Sequence, residues 1–204
     1  MKQYLDKSLD FEQYIGLIDR LLGEGKSTGP NQSESLTAYS KLNRHRMSRI
    51  RKTTKISATL EDALRYNRRN LIWLIITEGW CGDAAQSVPV IEEIAARSAN
   101  IETRYVLRDE NPELMDAFLT NGARSIPKLI AIDADSGSIV GTWGPRPAAG
   151  TAYFLELRNR GVEKSDISEL MQRWYNEDRG VSIQNDFEEL LRNWNAGESV
   201  AASN

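Results

Sequence analysis

The chain has 204 residues, 40% of them hydrophobic, with five tryptophans; this suits one sizeable packed domain with additions and excludes a disordered chain. Its net charge of -3 gives no overall attraction to nucleic acid or to an anionic membrane, and its longest apolar run, Leu71 to Ile76, is too short to span a bilayer. One cysteine and one histidine exclude an internal disulfide framework and make a poor zinc site. The start MKQYLDKSLDFEQY lacks an apolar core behind a basic end, so the expectation is a cytoplasmic, bacterial-type protein in a reducing compartment.

In chain order, Phe11, Tyr14, Ile15, Ile18, Leu21 and Leu22 recur at helical spacing and predict an amphipathic helix over 10–22. Gly23 to Ser35, rich in glycine and small polar residues, reads as a linker. A helix over 36–50 carries Leu36, Tyr39, Leu42, Met47 and Ile50; a shorter one over 59–67 has Thr59 as its cap and Leu60, Ala63 and Leu64 facing inward. Leu71 to Ile76 is apolar throughout, as a strand buried on both faces requires. Ile91, Ile94, Ala95 and Ser98 give a helical stripe, and Ile101 to Leu107 alternates as a strand. Pro112 opens a helix capped by Asn111, bearing Leu114, Met115, Phe118 and Leu119 and ending at Asn121-Gly122. Lys128 to Ile132 and Ser138 to Trp143, joined by a turn-rich segment, read as a hairpin. Helices then follow over 148–158, 166–178 and 183–194, the last with Asn185 and Glu188 as a capping box, and the small polar tail Gly197 to Asn204 is expected to fray. Trp73, Trp143, Trp174 and Trp194 are expected in the core. Helical crossovers followed by a hairpin make this an α/β protein with a mixed sheet flanked by helices.

The chemistry concentrates in Gly79-Trp80-Cys81-Gly82-Asp83-Ala84. A cysteine between a buried strand and a helix faces free backbone N–H groups and the positive end of the helix dipole, and both favour thiolate. Trp80 is expected to shield the thiol, and Pro89 to kink the helix that follows. Ser125-Ile126-Pro127 precedes a strand; a cis bond before Pro127 would let the backbone of Ile126 clasp an extended peptide beside the thiol.

Trp80-Cys81-Gly82-Asp83-Ala84, Pro89, Ile126-Pro127 and the closing hairpin resemble the thioredoxin family, in particular bacterial thioredoxin family proteins with a Cys-Gly-Asp-Xaa motif. The resemblance covers residues 58–144, the thioredoxin-like core, with 1–57 as an N-terminal helical extension and 145–204 as a C-terminal helical segment completing the core. It implies a nucleophilic Cys81, a substrate clasp at Trp80, Ile126 and Pro127, and a cis bond before Pro127. Two departures stand out. The position of the resolving cysteine holds Ala84, and that of the family's buried acid holds Ile75. A mixed disulfide on Cys81 would have no internal thiol to release it, so ordinary dithiol reductase turnover is not expected.

Three functions follow. In the leading one, Cys81 forms mixed disulfides with protein thiols or disulfides and an external thiol resolves them. A low-molecular-weight thiol would then be a co-substrate, with no metal or other cofactor. The others are a non-catalytic peptide-binding module and a Cys81 redox sensor. Asp83 reads first as a helix-start acid that also raises the thiol pKa, Glu78 as a solvated loop carboxylate, and Gln86 as facing solvent or a bound group. Residues 41–55 are basic. They are expected to dock on acids elsewhere, such as those of the C-terminal segment, rather than on nucleic acid, and His45 among them is not read as catalytic. Arg108, Arg124 and Lys128 either surround the thiol or lie exposed at strand ends. Oligomeric state is left open.

Overall fold

The computed structural model describes residues 1–196, so the expectation of a fraying tail lies outside the described residues. The chain begins with α1 (Lys2–Leu5), α2 (Phe11–Gly23), α3 (Glu34–Thr53) and α4 (Ala58–Tyr66), then enters the sheet at β1 (Leu71–Thr77). α5 (Gly82–Ala95), β2 (Ile101–Leu107), α6 (Pro112–Ala117), β3 (Lys128–Asp133) and β4 (Ile139–Trp143) follow. The chain ends in α7 (Ala148–Asn159), α8 (Lys164–Asp178) and α9 (Val181–Ala196). The strand order is β2-β1-β3-β4; β1 runs parallel to β2 and antiparallel to β3, and β3 pairs antiparallel with β4. β1, apolar from Leu71 to Ile76, lies inside this sheet, and a mixed sheet flanked by helices is the architecture that the element order predicts.

Packing on the sheet explains several residue choices. In register, Trp73 of β1 stands beside Ala131 of β3 and Gly141 of β4. The two small residues leave room for α9, whose Phe187 and Trp194 rings lie 4.9 and 6.3 Å from that of Trp73. A Cβ on Gly141 would overlap Trp194 Nε1. At the β2 edge of the sheet, Tyr14 of α2 stacks on Tyr105 of β2 at 5.2 Å, and Leu9 exchanges two backbone hydrogen bonds with Tyr105 along the open edge of β2. One continuous core therefore runs from Phe11 through the sheet to Trp194, with a satellite cluster of Leu157, Ile167, Met171 and Tyr175 between α7 and α8. Trp174 joins that satellite, half-buried, while Trp73, Trp143 and Trp194 are in the main core.

Local differences from the sequence reading have local causes. Ser57, not Thr59, caps α4: its hydroxyl accepts from the Leu60 N–H. The α6 helix stops at Ala117, because Phe118 leaves the helical region. Asn121 and Gly122, both at positive φ, instead form a tight turn between the bridged Thr120 and Ala123. The Asn111 side chain donates to Leu107 O and caps nothing. Ser98 lies beyond the end of α5. Asn185 lies inside α9, which starts at Val181, so no capping box forms there; Asp178 accepts from the Ser182 N–H instead.

Candidate active site around Cys81

β1 ends at Thr77 and α5 begins at Gly82, so Cys81 is the N-cap residue of α5. Its Sγ accepts from the Ala84 N–H at 3.4 Å, as a capping side chain does. The thiol also donates to the Ile126 carbonyl at 3.2 Å, and the Ile126–Pro127 bond is cis. Pro89 lies within α5, and Ala84, in the resolving position, is fully buried.

The thiol is only 8% exposed, and its pKa is pushed up to about 12. Burial is the main cause and the Asp83 carboxylate the second; the Ala84 and Asp83 N–H groups and Arg146 oppose them. The helix-start N–H groups do lower the thiol pKa, as expected, but the loss of water outweighs them. Donors at a helix end stabilise a thiolate by less than the loss of water destabilises it.

Asp83 does more than begin a helix. Arg146 grips it with both ends of its fork, Nη2 to Oδ2 at 2.6 Å and Nε to Oδ1 at 3.1 Å, while the Tyr175 hydroxyl donates to Oδ1 at 3.0 Å. The Arg146 guanidinium also lies 4.0 Å from the Phe154 ring centroid. Gly144 makes this approach possible. Its φ is +107°, and a Cβ would strike the Pro127 carbonyl, so only glycine lets the loop after β4 lie against the strand that follows Pro127. Burial raises the Asp83 pKa, with Arg146 and Tyr175 opposing.

Glu78 contradicts its expected place in solvent: it is fully buried. The Asp109 N–H donates to Oε1 at 3.0 Å, and Oε2 has no partner. Its pKa is raised to about 7, by burial above all; the Thr28 hydroxyl and the Asp109 N–H oppose. The cover comes from the N-terminal helices and loop. Thr28 Oγ1 accepts from the Gly79 N–H, Asn43 donates to the Gly79 carbonyl, and the Tyr14 hydroxyl meets Thr77 Oγ1 at 3.2 Å. Trp80 is half-exposed, with the Arg108 guanidinium 4.6 Å from its ring centroid.

A family model described as thioredoxin matches residues 29–160. The chain belongs to the thioredoxin family. Two solved structures share the fold of this thioredoxin-family chain. An HIV epitope-scaffold is 15% identical with a TM-score of 0.55, over 85% of this chain and 96% of its own. A protein of unknown function from Pseudomonas aeruginosa is 14% identical with a TM-score of 0.53, over 92% of this chain and 96% of its own. No curated protein matches.

The remaining sequence candidates of this thioredoxin-family chain are spread around the turn. Gln86 does not face solvent: it is 5% exposed, with its Nε2 unpartnered. Arg108 pairs with Asp109, Arg124 with Asp116, and the buried Lys128 donates to Thr120 Oγ1, so none of the three contacts the thiol. Among the described residues, the basic helix α3 docks on acids of α2 and α5, not on acids of the C-terminal segment. Arg44 pairs with Asp19, Arg51 with Glu12 and Glu93, and Arg49 bonds the Asn176 amide. Among the described residues no cluster of three or more His, Cys, Asp or Glu could hold a metal, and no helix is long and apolar enough to cross a membrane. Sequence reasoning missed Arg146 and Tyr175 as partners of Asp83. Arg146 lies in the short segment between β4 and α7, and Tyr175, deep in a C-terminal helix, left no local signal.

Proposed function

We propose that this chain is a monothiol redox protein of the thioredoxin family, with Cys81 as its nucleophile. The observation that carries this is the meeting of the Cys81 thiol with the Ile126 carbonyl across a cis Ile126–Pro127 bond, while Ala84 fills the resolving position. In the proposed cycle solvent base takes the thiol proton. The Cys81 sulfur bonds one sulfur of a partner disulfide, whose other sulfur leaves as thiolate. An external thiolate, from a protein or a small thiol, then attacks the partner's sulfur in the mixed disulfide, and Cys81 leaves as thiolate; a second external thiolate attacks the external sulfur now bonded to the partner, so the partner ends as two thiols and the two external thiols as one disulfide. Trp80, Ile126 and Pro127 would hold the partner, and Asp83, Glu78 and Gln86 would set the electrostatics. Such chemistry needs no metal or organic cofactor and belongs in a reducing compartment such as the cytoplasm. The motif Cys81-Gly82-Asp83-Ala84 supports reading the chain as one of the bacterial Cys-Gly-Asp-Xaa group, with residues 58–144 as the proposed core unit.

Without a resolving cysteine, the native protein is its own trap. Incubation with oxidised glutathione should give a slowly accumulating mixed disulfide by intact mass, faster as pH rises from 7 toward 10 and reversed by added thiol. Cys81→Ser should give none. If no adduct forms at any pH while extended peptides still bind, the second reading takes over. That reading is a non-catalytic peptide-binding module, and the burial that keeps the thiol protonated favours it.

A further inference from the structure

We infer that the gap between α3, α7 and α8 is a binding site for a small amphipathic anion, a carboxylate on an apolar body. The cavity measures about 840 Å³, within the range of roughly 300–1,000 Å³ usual for small-molecule sites. Its walls differ in character. Leu36, Phe154, Val162, Ile167 and Met171 supply an apolar lining. Arg46, Arg146, Arg158 and Lys164 supply positive charge, and the acid among the lining residues, Asp83, is already neutralised by Arg146.

Three cations are therefore left unmatched. Arg46, Arg158 and Lys164 make no ion pair among the described residues, although the chain as a whole is acidic. Arg46 is half-buried, reaching only the Asn43 amide oxygen, and burial followed by repulsion from Arg49 depresses its pKa. A bound carboxylate would supply the counter-charge that opposes both effects. At the edge of the cavity Tyr39 is 48% exposed, an aromatic left open to an apolar partner. A ligand satisfying these walls carries negative charge toward Arg46, Arg158 and Lys164 and lays its apolar body against Phe154 and Met171.

The site does not depend on thiol chemistry. It lies beside the thiol turn, because Trp80 and Gly82, which flank Cys81, also line it. It also gives the added helices a use beyond covering the sheet, since α3, α7 and α8 build most of the wall.

Titration calorimetry of the full chain with decanoate, decanol and decylamine tests the inference. Saturable one-site binding of decanoate is expected, with decanol about ten-fold weaker and decylamine without measurable binding. A double variant, Arg158→Glu with Lys164→Glu, alters two exposed side chains and should weaken decanoate about ten-fold with an unchanged circular dichroism spectrum. Decanol binding as tightly as decanoate to the unaltered protein would overturn the inference. So would decanoate affinity unmoved by the double charge reversal, or no saturable binding at all.

Discussion

Glu78 and Asp83 lie on either side of Cys81, and burial pushes both carboxyl groups up, yet the chain holds them in opposite ways. Asp83 receives a two-pronged guanidinium and a phenol from the C-terminal half. Glu78 receives one neutral donor, the Asp109 backbone N–H, and its other oxygen has no partner. The difference shows how two extensions brace one turn. The loop after β4 and helix α8 brace it with a paired charge and a phenol, and the N-terminal segment braces it with neutral hydrogen bonds to Gly79 and Thr77, beside a carboxyl whose pKa is raised to about 7.

The sharpest way to break this comparison is Arg146→Met. It strands the Asp83 carboxylate in a mostly buried site, and we expect a loss of about 3 kcal/mol at pH 7 in urea unfolding followed by tryptophan fluorescence. Adding Asp83→Asn should restore most of it. A loss under about 1 kcal/mol would show that the pair behaves like an exposed one.

Glu78→Gln tests the other side through pH. The folded-state pKa of about 7 lies above the ordinary 4.5, so between these values the native state binds more protons than the unfolded state. Glu78 therefore makes stability fall as pH rises from 4.5 to about 7, by up to about 3 kcal/mol, and has no further effect above that. The Gln variant should lose this slope; an unchanged slope in urea midpoints would mean that Glu78 keeps an ordinary pKa in the folded protein.

Tyr14→Phe has the smallest expected effect. It removes the buried hydroxyl that meets Thr77 Oγ1 and should cost about 1 kcal/mol. A cost near that of Arg146→Met would make the N-terminal brace as strong as the C-terminal one.

Much of the fold was legible because its signals are local. The apolar run of β1, the alternation of β2, the turn residues between β3 and β4 and the cysteine at a strand-to-helix junction each need only a few neighbours. Misreadings arose where a remote segment decides. Asn121-Gly122 carries the chemistry of a helix stop and of a tight turn alike, and the packing of Phe118 chose between them. Glu78 reads as a loop carboxylate until Thr28, Asn43 and the Asp109 backbone close over the turn. Gln86 looks like a second-turn surface residue until α9 and α3 pack around α5.

By itself the sequence determined the inventory: one thiol at Cys81, no sulfur at Ala84, no acid at Ile75, and an order of elements that makes a mixed sheet. The tertiary structure decided the state of that inventory. Whether a thiol or carboxyl carries charge depends on lost water and on partners such as Arg146 and Tyr175, 63 and 92 residues from Asp83 along the chain. Desolvation and charge pairing act through space, so the pKa near 12 of Cys81 and near 7 of Glu78 belong to the packed molecule and to no stretch of its sequence.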